Sequence, residues 1–174
     1  RRGPVHLADV LDTCLSMARN EIRHRAVVEK VVEDVSPVNA NESRLSQVVL
    51  NLLVNAAQAI PEGNADKNRI YVRVKADCDG MVRLEIADTG VGIPEDVRVR
   101  IFEPFFTTKP VGIGTGLGLS ICHTIVTSYG GDINVESQVG AGTMFVVRLP
   151  ACDESDLDAR PAPTPEPETH AGSI

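Results

Sequence analysis

Aromatic residues are nearly missing. There is no Trp, and two Tyr and four Phe serve 174 residues, so the core must be aliphatic. No apolar run approaches the roughly 20 residues needed to span a bilayer. Positive charge is not in excess: 17 Lys and Arg face 24 Asp and Glu, for a net charge of −7. That balance argues against nucleic acid and against an anionic membrane surface as partners. No cysteine pair has C-x-x-C spacing. Cys14, Cys78, Cys122 and Cys152 are scattered, so no zinc site is expected, and the thiols read as reduced residues of a cytoplasmic protein. The start, Arg1-Arg2-Gly3-Pro4, has no apolar stretch behind it, so no secretory signal is read there. Without an initial Met, the chain is expected to be a piece of a longer one. The phosphate loop Gly-x4-Gly-Lys-Ser/Thr is absent, as is any internal repeat.

What is present suffices for one domain with a real core, since 43% of residues are hydrophobic. Leu7, Val10, Leu11, Cys14, Leu15, Ala18 and Ile22 predict a helix over 7–22. Residues 26–35 are valine-rich and β-prone, and Ser36-Pro37-Val38-Asn39 reads as a break. A long helix is predicted from Glu42 to Ile60, ended by Pro61-Glu62-Gly63-Asn64. Residues 69–76 and 81–88 read as strands joined at Asp77-Cys78-Asp79-Gly80. A short helix or turn over 94–101, a helix over 117–129 stopped by Gly130-Gly131, and strands over 132–137 and 143–149 complete the order. Consecutive strands forming hairpins predict an α+β fold: a two-layer sandwich with a mixed, mostly antiparallel sheet and helices on one face. Residues 1–150 are expected to form this domain. The remainder, with Pro161, Pro163, Pro165, Pro167 and several acids, is expected to be a disordered tail.

The chemistry concentrates between Asp88 and Ser120. Asp88 ends the alternating run Val82, Leu84, Ile86, and Gly90 and Gly92 follow it. A carboxylate at a strand end with glycines beside it suits a pocket floor, because glycines let backbone approach a ligand closely. Gly112, Gly114, Gly116 and Gly118 lie just ahead of a helical pattern, and a helix start offers unpaired N–H groups to an anion. Lys109 adds a cation between the two runs. Carboxylate, glycine turn, cation and glycine-rich helix start together describe a nucleotide site, although either glycine run alone could be an ordinary loop. A third element is the polar face of the 42–60 helix, Arg44, Gln47, Asn51, Asn55 and Gln58. Such a stripe is usually a solvated face, but two asparagines in register one turn apart are mediocre helix formers, which a functional task would justify.

Taken together, these motifs resemble the catalytic, ATP-binding domain of two-component sensor histidine kinases, of the Bergerat-fold ATPase superfamily. Gln47–Ala56 looks like its N box, Asp88-Thr89-Gly90-Val91-Gly92-Ile93 like the G1 box, and Phe102-Glu103-Pro104-Phe105-Phe106 like the F box. Gly114-Thr115-Gly116-Leu117-Gly118-Leu119 looks like the G2 box, and Gly140–Phe145 like the last glycine box. The match runs over about residues 5–149.

The resemblance implies ATP and Mg²⁺ as cofactors. Asp88 would accept from the adenine amine, with Thr143 holding a water, and Asn55 would be the Mg²⁺ ligand with Asn51 close behind. Lys109 would reach the phosphates; Gly90, Gly92, Ile93, Thr108, Gly112, Gly114, Thr115, Gly116, Leu117, Gly118 and Leu119 would line the nucleotide. Residues 102–114 would be a mobile lid anchored by Phe105 and Phe106. The implied partners are a dimerisation and phosphoacceptor helical domain of the same protein and a response-regulator receiver domain, in the cytoplasm and without direct membrane contact by this domain. A histidine followed by an acidic residue on a dimerisation helix is missing, since His6, His24, His123 and His170 do not sit in such a motif. The acceptor is expected to precede Arg1.

Two other readings remain open at this stage. An ATPase of the gyrase, heat-shock chaperone or mismatch-repair type would carry a glutamate where Asn51 stands and would lack the Phe-Glu-Pro-Phe-Phe run. A degenerate domain that only binds a partner would have no use for the intact Asp88, Asn55 and glycine set.

Overall fold

The computed structural model describes residues 1–107 and 118–152. The glycine-rich stretch 108–117 and the segment 153–174 lie outside the described residues. The elements are β1 (Gly3–Val5), α1 (Leu7–Met17), α2 (Arg19–Ile22), β2 (Val27–Val32), β3 (Val38–Ala40), α3 (Glu42–Gln58), β4 (Arg69–Ala76), β5 (Met81–Asp88), α4 (Glu95–Arg98), α5 (Gly118–Ser128), β6 (Asp132–Gln138) and β7 (Gly142–Pro150). Among the described residues, five strands form the main sheet in the order β2-β4-β5-β7-β6. β2 runs parallel to β4 and the other pairings are antiparallel, so the sheet is mixed and mostly antiparallel, with β4–β5 and β6–β7 as the expected hairpins.

Strand alternation fixes which face is buried. Ile70, Val72 and Val74 of β4, Val82, Leu84 and Ile86 of β5, and Phe145, Val147 and Leu149 of β7 turn to the helices. α3 lies on them with Leu45, Val48, Val49, Leu52, Leu53, Ala56 and Ala57 buried, flanked by α1 through Leu7, Val10, Leu11 and Cys14. Each fully buried aliphatic side chain contributes about 1.5–3 kcal/mol relative to exposure, which replaces the missing aromatics. Asn41 caps α3: its side chain accepts from Arg44 N at 3.1 Å.

The other sheet face is polar. Arg83 of β5 stands directly opposite Arg148 of β7, a repulsive pairing. Glu85 at 2.7 Å and Asp77 at 3.7 Å offset Arg83, and Asp132 meets Arg148 at 2.6 Å. These side chains are partly exposed, so their role is to let the cations sit side by side more than to add stability.

Three expectations change. The helix read over 7–22 breaks at Ala18, where ψ is 0°, into α1 and α2. Its apolar stripe runs on through Ala18 and Ile22, both buried, so the pattern does not register the break. The stretch read as a break at 36–39 holds β3, which pairs with β1; Val38 and Ala40 are each 1% exposed. The strand read over 26–35 is shorter, Val27–Val32. At the far end, Ala151 bridges to Val38, and Cys152 N donates to Pro37 O at 2.7 Å.

Candidate functional site

Asp88 is the last residue of β5 and points to the helix side, where it is 6% exposed. Backbone N–H groups of Gly90, at 2.8 Å, and of Thr143 face its carboxylate. Burial outweighs them and pushes the carboxyl up to about 6. A buried carboxylate held by two donors, with lone pairs left over, is built to meet a further donor.

The backbone around Asp88 is closed to side chains. A Cβ on Gly90 would lie 2.4 Å from Ala59 O, just past the end of α3. A Cβ on Gly142, at φ +114°, would lie 1.9 Å from Asp88 O. These glycines let β7 and α3 press against the strand end, and Val91 N donates to Ala59 O at 3.0 Å. The Asp88 turn and the last turns of α3, carrying Asn55, therefore share one side of the sheet.

Thr143 pairs with Asp88 across β5 and β7 and is buried. Its hydroxyl lies 2.8 Å from Ser137 Oγ, which also accepts from Ile93 N at 2.7 Å. Ser137 thus ties the loop of Gly92 and Ile93 to β6. It lies outside the glycine and asparagine motifs, yet it is the one hydroxyl on the face of β6 shared with Ile133 and Val135. Thr89 seals the other flank: its Oγ1 accepts from Arg69 N at 2.9 Å and donates to Asn68 Oδ1 at 3.0 Å.

On α3, Asn51 and Asn55 are half-buried on the side facing away from the core. Asn51 leans on α5, with Nδ2 3.5 Å from Gly118 O. Among the described residues the Asn55 carboxamide has no hydrogen-bond partner, so its oxygen is available to a hard cation. Gly118 and Leu119 open α5 and are partly exposed. Thr108, Lys109, Gly112, Gly114, Thr115, Gly116 and Leu117 lie outside the described residues.

The aromatic anchor differs from expectation. Phe102, not Phe105 or Phe106, packs on the core, edge-on to Phe145 at 6.4 Å and 5.7 Å from the His123 ring. Phe105 is 74% exposed with φ +64°, and Phe106 lies under the Arg100 guanidinium at 4.7 Å. Ile101 is buried beside Phe102, so the chain dips into the core there and has turned out again by residue 105.

Residues 40–153 match the family model described as histidine kinase-, DNA gyrase B- and HSP90-like ATPase. The chain belongs to this ATPase family. Within it, the likeness is to sensor histidine kinases. Sensor kinase CckA of Brucella abortus is 43% identical over 145 residues, which is 76% of this chain and 15% of that protein. A mycobacterial sensor histidine kinase, MprB, superposes with a TM-score of 0.74 at 34% identity, covering 87% of this chain and 98% of that one. Full-length ShkA, solved with AMPPNP, gives 0.74 at 29% identity over 87% of this chain and 31% of that one. This is therefore an ATP-binding catalytic domain of the histidine kinase type, in the α+β architecture that the hairpin order predicts. The chain spans about 15% of the length of CckA and only part of other curated relatives. No helix among the described residues is long and apolar enough to cross a membrane.

Proposed function

We propose that the domain binds Mg²⁺-ATP and gives the γ-phosphate to a histidine on a dimerisation and phosphoacceptor domain, for onward transfer to a response-regulator receiver. The observation that carries this reading is Asp88, a carboxylate 6% exposed at a strand end with two backbone donors and spare lone pairs. Adenine offers an exocyclic amine to such an acceptor. Guanine presents a carbonyl there, acceptor against acceptor, which supplies the selectivity. Thr143, kept beside Asp88 by Ser137, would hold a water to the same ring. Gly90, Gly92 and Ile93 would form the wall under it.

Asn55 would hold the Mg²⁺ ion through its free amide oxygen, with Asn51 one turn before it. Neutral oxygens suit a cation that the phosphates already neutralise. The ion would supply charge neutralisation across the phosphates. Lys109, Thr108, Gly112, Gly114, Thr115, Gly116, Leu117, Gly118 and Leu119 would surround the phosphates, and Phe105, exposed beside that stretch, would meet the nucleotide side of it.

Asn51 bears on the competing ATPase reading. Attack by water needs a residue that takes its proton, and an amide does not do so near neutral pH. The domain would keep ATP until a histidine arrives, in the cytoplasm where ATP is found. The test of the site is calorimetry with ATP and GTP in the presence of Mg²⁺. ATP should bind and GTP should bind at least about tenfold more weakly, the worth of one discriminating hydrogen bond. Equal affinities would defeat the assignment of Asp88.

A further inference from the structure

The fold treats the two asparagines of α3 differently. Asn55 is left without a partner among the described residues, whereas Asn51 is held from the side by α5. Its Nδ2 lies 3.5 Å from Gly118 O and 3.8 Å from Cys122 Sγ, a sulfur contact at the distance a large atom allows. A carbonyl oxygen only accepts, so Gly118 decides which end of the carboxamide faces α5: it is the nitrogen. The opposite orientation would set two oxygens against each other. The thiol both accepts and donates. It takes the second amide hydrogen on its lone pairs and directs its own S–H to Val48 O at 3.9 Å, back on α3. Cys122 is fully buried on α5, and burial pushes its thiol up to about 11, so it stays a neutral thiol at ordinary pH. A Cβ at Gly118 would stand 3.9 Å from Asn51 Nδ2, so the first turn of α5 is in contact with this amide. With Nδ2 turned to α5, Oδ1 of Asn51 has no hydrogen-bond partner among the described residues.

We propose that Cys122, together with the Gly118 carbonyl, is a positioning residue that turns the Asn51 nitrogen to α5 and so leaves its oxygen as the end offered to a bound Mg²⁺-nucleotide. An oxygen so presented cannot pair with a phosphate oxygen, which also accepts. It suits the phosphate-bound cation or a water on it. Asn51 is then a preset acceptor for the hydrated cation, not a phosphate donor, and α5 sets its direction before the nucleotide arrives. The proposal rests on the reading of the pocket as a Mg²⁺-ATP site.

The test separates positioning from packing. In the wild-type chain, the Asn51 side-chain amide protons, assigned by their loss in Asn51→Ala, should exchange with water more slowly than those of Asn55. Equal exchange would overturn the lock whether or not ATP binds. In calorimetry, Cys122→Val, which keeps the volume and removes the acceptor, should weaken a non-hydrolysable ATP analogue with Mg²⁺ about three- to tenfold. AMP, which carries no β- or γ-phosphate, should bind within about twofold of wild type, a change under half a kcal/mol. Cys122→Ser keeps a donor and an acceptor and should restore most of the loss. Combining Cys122→Val with Asn51→Ala should be no worse than Asn51→Ala alone, because one acts through the other. Equal weakening of AMP, additive losses, or failure of a folded Cys122→Ser chain to recover would each refute the role. A wild-type chain that bound no ATP analogue would instead sink the nucleotide reading, while the exchange result would still decide the lock.

Discussion

Lowering the pH through about 6 should release adenine from Asp88. The carboxyl is pushed from 3.8 up to about 6 by burial in the folded, ligand-free protein. The sign follows from linkage. Between those values the folded state holds a proton that the unfolded state has lost, so stability is fullest below about 3.8 and falls as pH rises to about 6. At about 1.4 kcal/mol per pH unit, the ionised carboxylate costs the empty protein about 3 kcal/mol at neutral pH. An adenine amine is held more strongly by the ionised acceptor than by the neutral acid, so binding runs the other way. Affinity should be level above about pH 7 and fall close to tenfold per unit below 6, with roughly a tenth of the sites competent at about pH 5.

Adenosine is the ligand to titrate, because phosphate groups ionise in the same range and would confuse the profile. Binding is followed by NMR shifts of the Gly90 and Thr143 amides, which face the carboxylate. Asp88→Asn should be flat with pH, because its amide does not ionise. It should bind about 2 kcal/mol or more weaker, because a donor then faces a donor. The same variant should be more stable than wild type at neutral pH without ligand, since the buried charge is gone. Adenosine affinity that stays level from about pH 5 to 8, or an Asp88→Asn chain less stable than wild type when empty, would refute the argument.

Other outcomes follow from the packing. Gly142→Ala should destabilise by about 3 kcal/mol and abolish nucleotide binding, since its Cβ would sit 1.9 Å from Asp88 O at φ +114°. Gly140→Ala, at φ +82° with nothing within 4 Å, should cost only about 1 kcal/mol of backbone strain; denaturant unfolding compares the two. Phe102→Ala should lose about 2 kcal/mol through its contacts with Phe145 and His123, whereas Phe105→Ala, 74% exposed, should stay within about 0.5 kcal/mol. A larger loss at Phe105 would show that its ring packs on the domain. Ser137→Ala should leave the fold intact but weaken adenosine by about 1 kcal/mol, because it frees Thr143 Oγ1 and Ile93 N together.

The parts of the fold legible in sequence are those where periodicity coincides with burial. β4 and β5 alternate without interruption, and their predicted bounds, 69–76 and 81–88, match the strands. The Asp88 turn was readable because a carboxylate at the end of an apolar strand has few purely structural uses. β1 and β3 were not, because three residues are too few to show a period and Pro4 and Pro37 argue against strands. The grip of α5 on Asn51 was invisible for another reason: it joins residues 71 apart through a cysteine whose type suggests only filling space. The placing of Phe102 as the anchor depends on where the chain turns after Ile101, which no local pattern specifies.

The most direct measurement of the central claim follows the γ-phosphate. The chain is incubated with γ-labelled ATP and Mg²⁺, alone and with a purified dimerisation and phosphoacceptor domain from the same parent protein, and label is counted on histidine and as free phosphate. The account predicts almost no free phosphate from the chain alone, label on the partner's histidine when it is added, and loss of that label in Asn55→Asp. Rapid phosphate release without the partner, or no labelled histidine with it, would contradict the account.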